Sequence, residues 1–228
     1  MLIKWDELPD KLKNEQVKRY YEILRRKRGS LIVKRIFDVI VSSLMIGLLS
    51  PVFLVLAVII KIDSPGPVFF RQRRVTKYGR EFRIFKFRTM VNNAEKLGTQ
   101  VTVGNDSRIT RVGTVIRNCR LDEIPQLFNI FLGDMSFVGT RPEVPKYVER
   151  YTDEMLATLL LPAGVTSQAS IRYKNEAELL EKSEDADETY VNDILPEKMK
   201  YNLFDIENFS LRAELKTMFQ TVGAVLGR

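Results

Sequence analysis

The chain has 228 residues, 45% of them hydrophobic, which suffices for one sizeable core and excludes wholesale disorder. It carries 36 lysines and arginines against 29 aspartates and glutamates, so its formal charge of +7 suits nucleic acid, an acidic membrane surface or phosphorylated substrates. The absence of histidine excludes Ser-His-Asp and Cys-His catalysis and the common zinc sites, and the single cysteine, Cys119, excludes an internal disulfide.

The first 32 residues are predicted to form an N-terminal unit around an amphipathic basic helix. Within residues 8–28, apolar side chains recur at helical spacing and are followed by the basic cluster Arg25–Arg28. That cluster could lie against anionic lipid headgroups, or it could be a solvated helix end. No signal peptide is expected, because these charged residues leave no room for an apolar segment of the required length.

Residues 33–62 are predicted to be a membrane segment, since Val39–Ile60 runs for 22 residues without a charge. A helix of that length measures roughly 33 Å, just enough to span a bilayer core. Ser50-Pro51 near its middle predicts a break, because proline removes a backbone hydrogen bond. Both flanks are basic, and the positive-inside rule favours the cytoplasmic side for each. We therefore expect a re-entrant helix-break-helix, with a single transmembrane span as the alternative.

Residues 63–228 are predicted to form a cytoplasmic α+β domain that is mostly helical with short strands. Strands are expected at 67–72 and 81–90, where β-forming residues alternate with basic ones. Helical periodicity and glycine or proline stops predict helices at 91–97, 111–118, 122–132, 146–161 and 209–226. The acidic segment 174–190 is expected to be a solvated helix or loop.

The strongest chemical signal is the segment Leu121-Asp-Glu-Ile-Pro-Gln-Leu127. Because Pro125 is tolerated in a first helical turn, a helix is expected to begin close to Asp122. The positive end of its dipole would favour two ionised carboxylates and draw a phosphate to the same place. Asp122 could then attack phosphorus, and Glu123 could hold Mg²⁺. Ordinary capping of the helix by acidic residues is the alternative.

Four basic side chains are candidates for binding a phosphorylated substrate. Arg141 lies in a turn stiffened by a proline, and Gly139 before it allows close backbone approach. The planar guanidinium of Arg141 could therefore bind a diphosphate through two parallel hydrogen bonds. Lys86 and Arg88 alternate on a predicted strand and therefore share a face, and with Arg117 they could line a cleft for a polyanion. Solvent-exposed surface positions are the alternative for each of them.

Seven segments resemble, in order, the motifs of the bacterial sugar transferase family, the monotopic polyprenyl-phosphate phosphoglycosyl transferases. The resemblance is strongest over residues 33–142. Besides the apolar helix and the Asp-Glu motif, it rests on Lys34-Arg-Ile-Phe-Asp38, Ser64-Pro-Gly-Pro-Val-Phe-Phe-Arg-Gln-Arg73, Phe85-Lys-Phe-Arg-Thr-Met90, Asn105-Asp-Ser-Arg-Ile-Thr-Arg-Val-Gly113 and Gly133-Asp-Met-Ser-Phe-Val-Gly-Thr-Arg-Pro142.

The resemblance implies a two-step reaction at the cytoplasmic face of the bacterial inner membrane. By analogy, Asp122 attacks the sugar-bearing phosphate of a UDP-sugar and expels UMP, and polyprenyl (undecaprenyl) phosphate then removes the phosphosugar from Asp122. Mg²⁺ held by Asp122 and Glu123 is expected, with no other cofactor. Lys86, Arg117 and Arg141 fall on family positions that line the site. The pathway would be surface polysaccharide or glycoconjugate synthesis, and the apolar and terminal helices could support a homodimer.

Three departures from the family pattern are visible. Thr140 stands where the family usually has proline, residues 162–170 carry one extra residue and lack a tryptophan, and Glu214 replaces an aspartate. The second departure leaves the sugar undetermined. Two other classes stay open: a catalytically silent scaffold, which the intact Asp-Glu pair disfavours, and a membrane-tethered nucleic-acid binder. No nucleic-acid partner is expected, because such a binder leaves the apolar segment unexplained and no RNA-binding or zinc motif is present.

Overall fold

The computed structural model describes residues 2–92, 94, 106–181, 183 and 185–226. Its α-helices in these ranges are α1 (Glu15–Arg26), α2 (Arg28–Asp63), α3 (Arg111–Asn118), α4 (Gln126–Leu132), α5 (Pro145–Val148), α6 (Gln168–Arg172), α7 (Glu176–Glu181), α8 (Ala186–Thr189), α9 (Leu195–Glu207) and α10 (Leu211–Leu226). The strands β1 (Phe69–Val75) and β2 (Glu81–Phe87) form an antiparallel hairpin, and β3 (Met135–Val138) pairs in parallel with β4 (Ala163–Thr166). The fold is α+β and mostly helical, as predicted.

The predicted boundaries agree with the structure where the sequence periodicity was regular. The helix at 111–118, the two hairpin strands and the final helix are confirmed, with shifts of a few residues. The helix expected at 146–161 is wrong, since the chain forms α5 and then a separate 3₁₀ helix, Met155–Leu160. Thr152 divides them, because its hydroxyl accepts a hydrogen bond from the Met155 N–H. The helix expected at 91–97 lies mostly outside the described residues.

The N-terminal segment packs into the core of the domain that follows α2 in sequence. Asn14 caps α1 by accepting a hydrogen bond from the Val17 N–H at 2.8 Å, so the helix begins at Glu15 rather than near residue 8. The buried side chains of one cluster come from both sides of α2 along the chain, among them Leu12, Val17, Leu24, Val75, Leu160, Leu203 and Ile206. The segments before and after α2 therefore share one hydrophobic core.

Two residues of the basic cluster Arg25–Arg28 make hydrogen bonds to other segments of the domain. The Lys27 ammonium donates to the Phe209 carbonyl at 2.7 Å, and the Arg28 guanidinium donates to the Leu2 carbonyl at 2.8 Å. These contacts link α1 to the C-terminal helices and to the first residues of the chain. Neither alternative expected from the sequence, headgroup contact or a solvated helix end, includes these two hydrogen bonds.

The apolar segment forms one helix of 36 residues, α2, with Pro51 inside it. Proline has no N–H, so it cannot donate to the carbonyl of Gly47, four residues earlier. The Ser50 hydroxyl donates to that carbonyl instead, at 2.8 Å, and replaces the missing bond. The helix is therefore continuous through Ser50-Pro51, and the interruption predicted there is not seen. The re-entrant path of the segment stays a prediction.

α2 has two unlike faces. One faces the domain along the whole helix and buries Lys34, Asp38, Ser42, Leu56 and Ile60. The other exposes large apolar side chains from end to end, including Ile36, Ile40, Leu44, Leu48, Val55, Ile59 and Ile62. Within the described part of the chain, α2 alone is long and apolar enough to cross a membrane by length and composition. An exposed apolar face of this extent marks a surface that contacts lipid or another protein.

The N-terminal half of α2 is attached to the domain by a buried polar cluster. The Lys34 ammonium donates to the Val138 carbonyl at 3.0 Å and forms an ion pair with Glu214 of α10. Asp38 accepts a long hydrogen bond, 3.4 Å, from the Phe137 N–H. Residues of the segment 34–38 therefore join α2 to β3 and α10, and Glu214 has a structural partner here.

The C-terminal end of α2 is capped by Arg88. Its guanidinium donates to the carbonyls of Ile60, Ser64 and Pro65 at 3.2, 2.6 and 2.8 Å, which supplies donors to the carbonyl groups at and just beyond the helix end. Gly66 makes room for this contact, with φ of +133° and a would-be Cβ only 1.9 Å from Arg88 Nη1. The segment Ser64–Gly66 therefore binds the Arg88 side chain, and the glycine leaves the space that this contact needs.

Candidate active site

The β1–β2 hairpin supplies one wall of the site. Phe70 pairs with Lys86 in the register, and Lys86, Gln72 and Arg74 line the same cavity. The half-buried Arg74 side chain donates to the Gln72 side-chain carbonyl at 2.7 Å and to the Pro142 carbonyl at 3.0 Å. Sequence reasoning missed Arg74 as a site residue, because it was counted only among the basic residues flanking the membrane segment.

The Asp-Glu pair lies on a tight turn and not in the first turn of a helix. Leu121–Glu123 is a 3₁₀ turn, and α4 begins at Gln126, so the predicted helix start near Asp122 is wrong by four residues. The reason is Pro125, which lacks the N–H that an α-helix would direct at the Leu121 carbonyl; the Ile124 N–H bonds that carbonyl instead, at 3.3 Å. The carboxylates are therefore positioned by the turn and its neighbours.

Glu123 is held by two cations from different parts of the chain. Its Oε1 accepts hydrogen bonds from Lys86 Nζ at 2.7 Å and from Arg141 Nη2 at 3.0 Å. Burial by itself would raise the pKa of Glu123, but Lys86 and Arg141 hold that pKa far below its usual range. Glu123 is therefore ionised, and it joins two residues, Lys86 and Arg141, that were predicted separately from the sequence.

Asp122 differs sharply from its neighbour. Within the described residues it makes no hydrogen bond or ion pair. Burial and the adjacent Glu123 charge raise the pKa of Asp122, while Lys86, Arg117 and Arg120 oppose that rise. An unpaired carboxylate keeps its oxygen lone pairs available, so the structure assigns the two adjacent acids different environments.

Asp122 lies in a basic cavity of about 510 Å³, a size typical of small-ligand sites. Six basic side chains share its wall: Arg71, Arg74, Lys86, Arg88, Arg108 and Arg117. Of these, Arg117 makes no hydrogen bond or ion pair in the described ranges, whereas Arg88 is occupied by the carbonyls at the end of α2. One carboxylate among so many cations favours a ligand with several negative charges. A substrate-binding role for Arg88 stays a prediction.

The loop that carries Arg141 is fixed by close packing of two backbones. A Cβ on Gly139 would lie 2.8 Å from the Pro162 carbonyl oxygen, and one on Gly164 would lie 2.2 Å from the Gly139 nitrogen. The predicted close backbone approach at Gly139 is therefore confirmed. The Thr140 carbonyl accepts from the Gly164 N–H at 2.8 Å, so the absence of proline at position 140 leaves the turn held. The pairing of β3 with β4 that creates this contact was not predicted.

The residues present fit a Mg²⁺ ion that binds together with a substrate. No group of three acidic, cysteine or histidine side chains that could hold a metal occurs among the described residues. Asp122 and the second oxygen of Glu123 offer two carboxylate ligands, and Mg²⁺ commonly uses one or two carboxylates plus substrate phosphates. The surrounding cations disfavour a metal without that phosphate, because like charges would then be concentrated in one place.

Comparison with protein families matches residues 29–228 to the family described as bacterial sugar transferase. The chain is 39% identical over 197 residues to a UDP-N-acetylgalactosamine-undecaprenyl-phosphate N-acetylgalactosaminephosphotransferase of Aeromonas hydrophila, a match that covers 85% of this chain and 44% of the relative. It is 37% identical over 199 residues to a UDP-glucose:undecaprenyl-phosphate glucose-1-phosphate transferase of Klebsiella pneumoniae, covering 85% and 40%.

A third relative is closer to this chain in length. The exopolysaccharide production protein ExoY of Sinorhizobium fredii is 32% identical over 209 residues, which is 85% of each chain. By contrast, the chain spans less than half the length of the Aeromonas and Klebsiella relatives. The similarity to those two proteins therefore concerns only the part of each that aligns with this chain, which includes the site described above.

Proposed function

Because the chain belongs to the bacterial sugar transferase family, we propose that it transfers a sugar 1-phosphate from a UDP-sugar to polyprenyl phosphate. The observation that carries the proposal is the unpaired Asp122 in a basic cavity, beside a Glu123 fixed by Lys86 and Arg141. The names of two relatives pair a UDP-sugar with undecaprenyl phosphate, which supports the same substrate classes here. The product would enter surface polysaccharide or glycoconjugate synthesis.

In the first step, an Asp122 carboxylate oxygen attacks the phosphorus that bears the sugar. An Asp–O–P bond forms, the phosphorus–oxygen bond to the nucleotide breaks, and its electron pair leaves with UMP. Lys86 and Arg117 stabilise the negative charge that develops on the phosphate oxygens. Mg²⁺ bound by Asp122, Glu123 and the diphosphate would neutralise part of that charge.

In the second step, an oxygen of polyprenyl phosphate attacks the same phosphorus. The Asp–O–P bond breaks, its electron pair returns to Asp122, and the sugar is left on a polyprenyl diphosphate. Each nucleophile attacks as an anion, and Lys86, Arg117 and Arg120 favour that form of Asp122 against the burial that raises its pKa. Neither step therefore needs a histidine as general base, which suits a chain without histidine. Glu123, with its pKa held far below the usual range, is a poor base and serves instead to hold Lys86 and Arg141.

The sugar is best identified by trapping the covalent intermediate. Detergent-solubilised protein would be mixed with Mg²⁺ and one UDP-sugar at a time, without acceptor, and its intact mass measured. We expect a gain equal to one phosphosugar with the correct donor, and UMP release on adding polyprenyl phosphate. Failure of every donor to give either an adduct or acceptor-dependent UMP release would contradict the proposed function. UMP release without an adduct would instead indicate direct transfer.

We also propose that α2 enters and leaves the membrane by the cytoplasmic face. The support is the shared hydrophobic core: Leu12 and Val17, before α2, pack in one cluster with Val75, which follows it. A helix that crossed the bilayer would place these side chains on opposite sides. The apolar outer face of α2, continuous on both sides of Pro51, suits contact with lipid along its length.

Site-directed labelling tests this topology. In a Cys119→Ser background, Lys18→Cys before α2 and Arg73→Cys after it place single thiols at positions that are exposed in the structure. We expect a membrane-impermeant maleimide to label both only in inverted vesicles, where the cytoplasmic face is outward. Labelling of the two positions from opposite sides would show a single span and contradict the re-entrant path.

A further inference from the structure

A second cavity, of about 360 Å³, has Glu123 in its lining. Its lining is largely apolar and includes Met45 and Leu49 of α2, Leu127 of α4 and Ala224 of α10. We call this cavity the apolar groove. Because Met45 and Leu49 belong to the apolar segment itself, the groove borders the part of the molecule that faces lipid.

The apolar groove also has a cationic side. Arg120, Arg141 and Lys174 line it together with Glu123. Arg120 and Lys174 are exposed and make no side-chain hydrogen bond or ion pair with any described residue. Arg120 also acts electrostatically on Asp122, because its charge opposes the rise in the pKa of that carboxyl. Glu123, which lines the groove, is the sequence neighbour of Asp122, so an anion bound at this side would lie near Asp122.

The Glu123 carboxylate links the linings of the groove and the basic cavity. Lys86 lines the basic cavity and Arg141 lines the groove, yet both donate to the same oxygen of Glu123. The two cavities differ in chemistry: the first suits a soluble polyanion, and the second suits a molecule with an apolar chain and one anionic end. A free phosphate would leave the apolar lining uncovered, and a neutral lipid would leave Arg120 and Lys174 without a counter-charge.

We propose that the apolar groove holds the isoprenoid chain of the lipid acceptor, with its phosphate beside Arg120, Arg141 and Lys174. This inference rests on the proposed function and adds a location to it. The nucleotide sugar would enter the basic cavity from water, while the acceptor would enter the groove from the bilayer beside Met45 and Leu49. The two substrates would thus reach Asp122 by separate routes and meet at the Glu123 carboxylate.

Filling the groove tests the proposal. Ala224→Trp puts a bulky side chain into the groove, and Val222→Trp, two residues earlier on α10 and 55% exposed, is the matched control. We expect Ala224→Trp to form the phosphosugar adduct at the wild-type rate but to raise the KM for undecaprenyl phosphate about tenfold. A short, soluble isoprenyl phosphate should be much less affected, because it has little chain to displace. Val222→Trp should behave as wild type.

Three outcomes would overturn the proposal while wild-type adduct formation upholds the proposed function. One is an unchanged KM for undecaprenyl phosphate in Ala224→Trp. Another is an equal rise for long and short acceptors. The third is tested by cross-linking a photoreactive isoprenyl phosphate to the Asp122→Asn variant, which cannot turn over. Because this variant keeps Ala224, the test does not depend on the folding of the tryptophan variant. We expect the label in peptides from α10 and from α6, whose Ser170 and Ile171 also line the groove, and we expect undecaprenyl phosphate to prevent this labelling. Prevention of labelling by an anionic phospholipid alone would show an ordinary lipid site.

Discussion

Asp122→Asn is expected to abolish the phosphosugar adduct and to lower kcat by about 10⁴-fold or more, as removal of a catalytic nucleophile commonly does. The amide nitrogen and oxygen of asparagine cannot supply the anionic oxygen that attacks phosphorus. Asparagine also has nearly the same shape, so the neighbouring Glu123 contacts with Lys86 and Arg141 should persist. The measurements are intact mass with the UDP-sugar alone, and UMP release with acceptor present.

The donor should still bind to Asp122→Asn. Removing a negative charge from the basic cavity reduces repulsion with the diphosphate, so affinity for the UDP-sugar is expected to be unchanged or higher. Asp153→Asn, at an exposed position away from the cavity, is the control and should keep wild-type activity. An adduct in Asp122→Asn, or a loss of less than about tenfold in kcat, would assign the nucleophile to another residue.

Glu123→Gln is expected to lower kcat by about 10²–10³-fold while the UDP-sugar still binds. Without the carboxylate, Lys86 and Arg141 face each other with no negative charge between them, and their repulsion displaces both from the phosphate. If Glu123 also binds Mg²⁺, the concentration of Mg²⁺ needed for half-maximal activity rises as well. Both quantities are measured by steady-state UMP release across a Mg²⁺ titration.

Controls separate this effect from a general loss of structure. Glu149→Gln, an exposed substitution of the same chemistry, should leave kcat unchanged. Lys86→Met combined with Glu123→Gln should cost less than the two single losses together, because both disrupt the same contact. Additive losses, or a Glu123→Gln variant with near wild-type kcat, would show that the Glu123 contacts with Lys86 and Arg141 do not support catalysis.

The elements that the sequence predicted well are those with a strong local pattern. α3 and α10 have regular helical spacing, the hairpin strands alternate, and the apolar run in α2 exceeds the length of an ordinary core helix. Local chemistry also singled out Asp122, Glu123 and the glycine at position 139. These conclusions needed only neighbours along the chain, so they could be reached before any contact was known.

The errors arose where one residue altered a local pattern or where distant segments meet. Pro125 moved the start of α4, and Thr152 divided a predicted helix, because each changes a single backbone hydrogen bond. The pairing of β3 with β4 depends on two glycines 25 positions apart in the sequence, at Gly139 and Gly164. The N-terminal helix was expected apart from the domain, yet its apolar face fits a core formed by residues that come after α2.

The sequence by itself determined the kind of chemistry: no histidine, two adjacent acids, an excess of basic residues and a long apolar segment. The tertiary structure alone decided which contacts each of those residues makes. It tied Glu123 to Lys86 and Arg141, left Asp122 unpaired, and bound the Arg88 guanidinium to carbonyls at the end of α2. The physical reason is that residue type fixes which charges and hydrogen bonds a side chain can offer, whereas the partner that satisfies them depends on distances between distant segments.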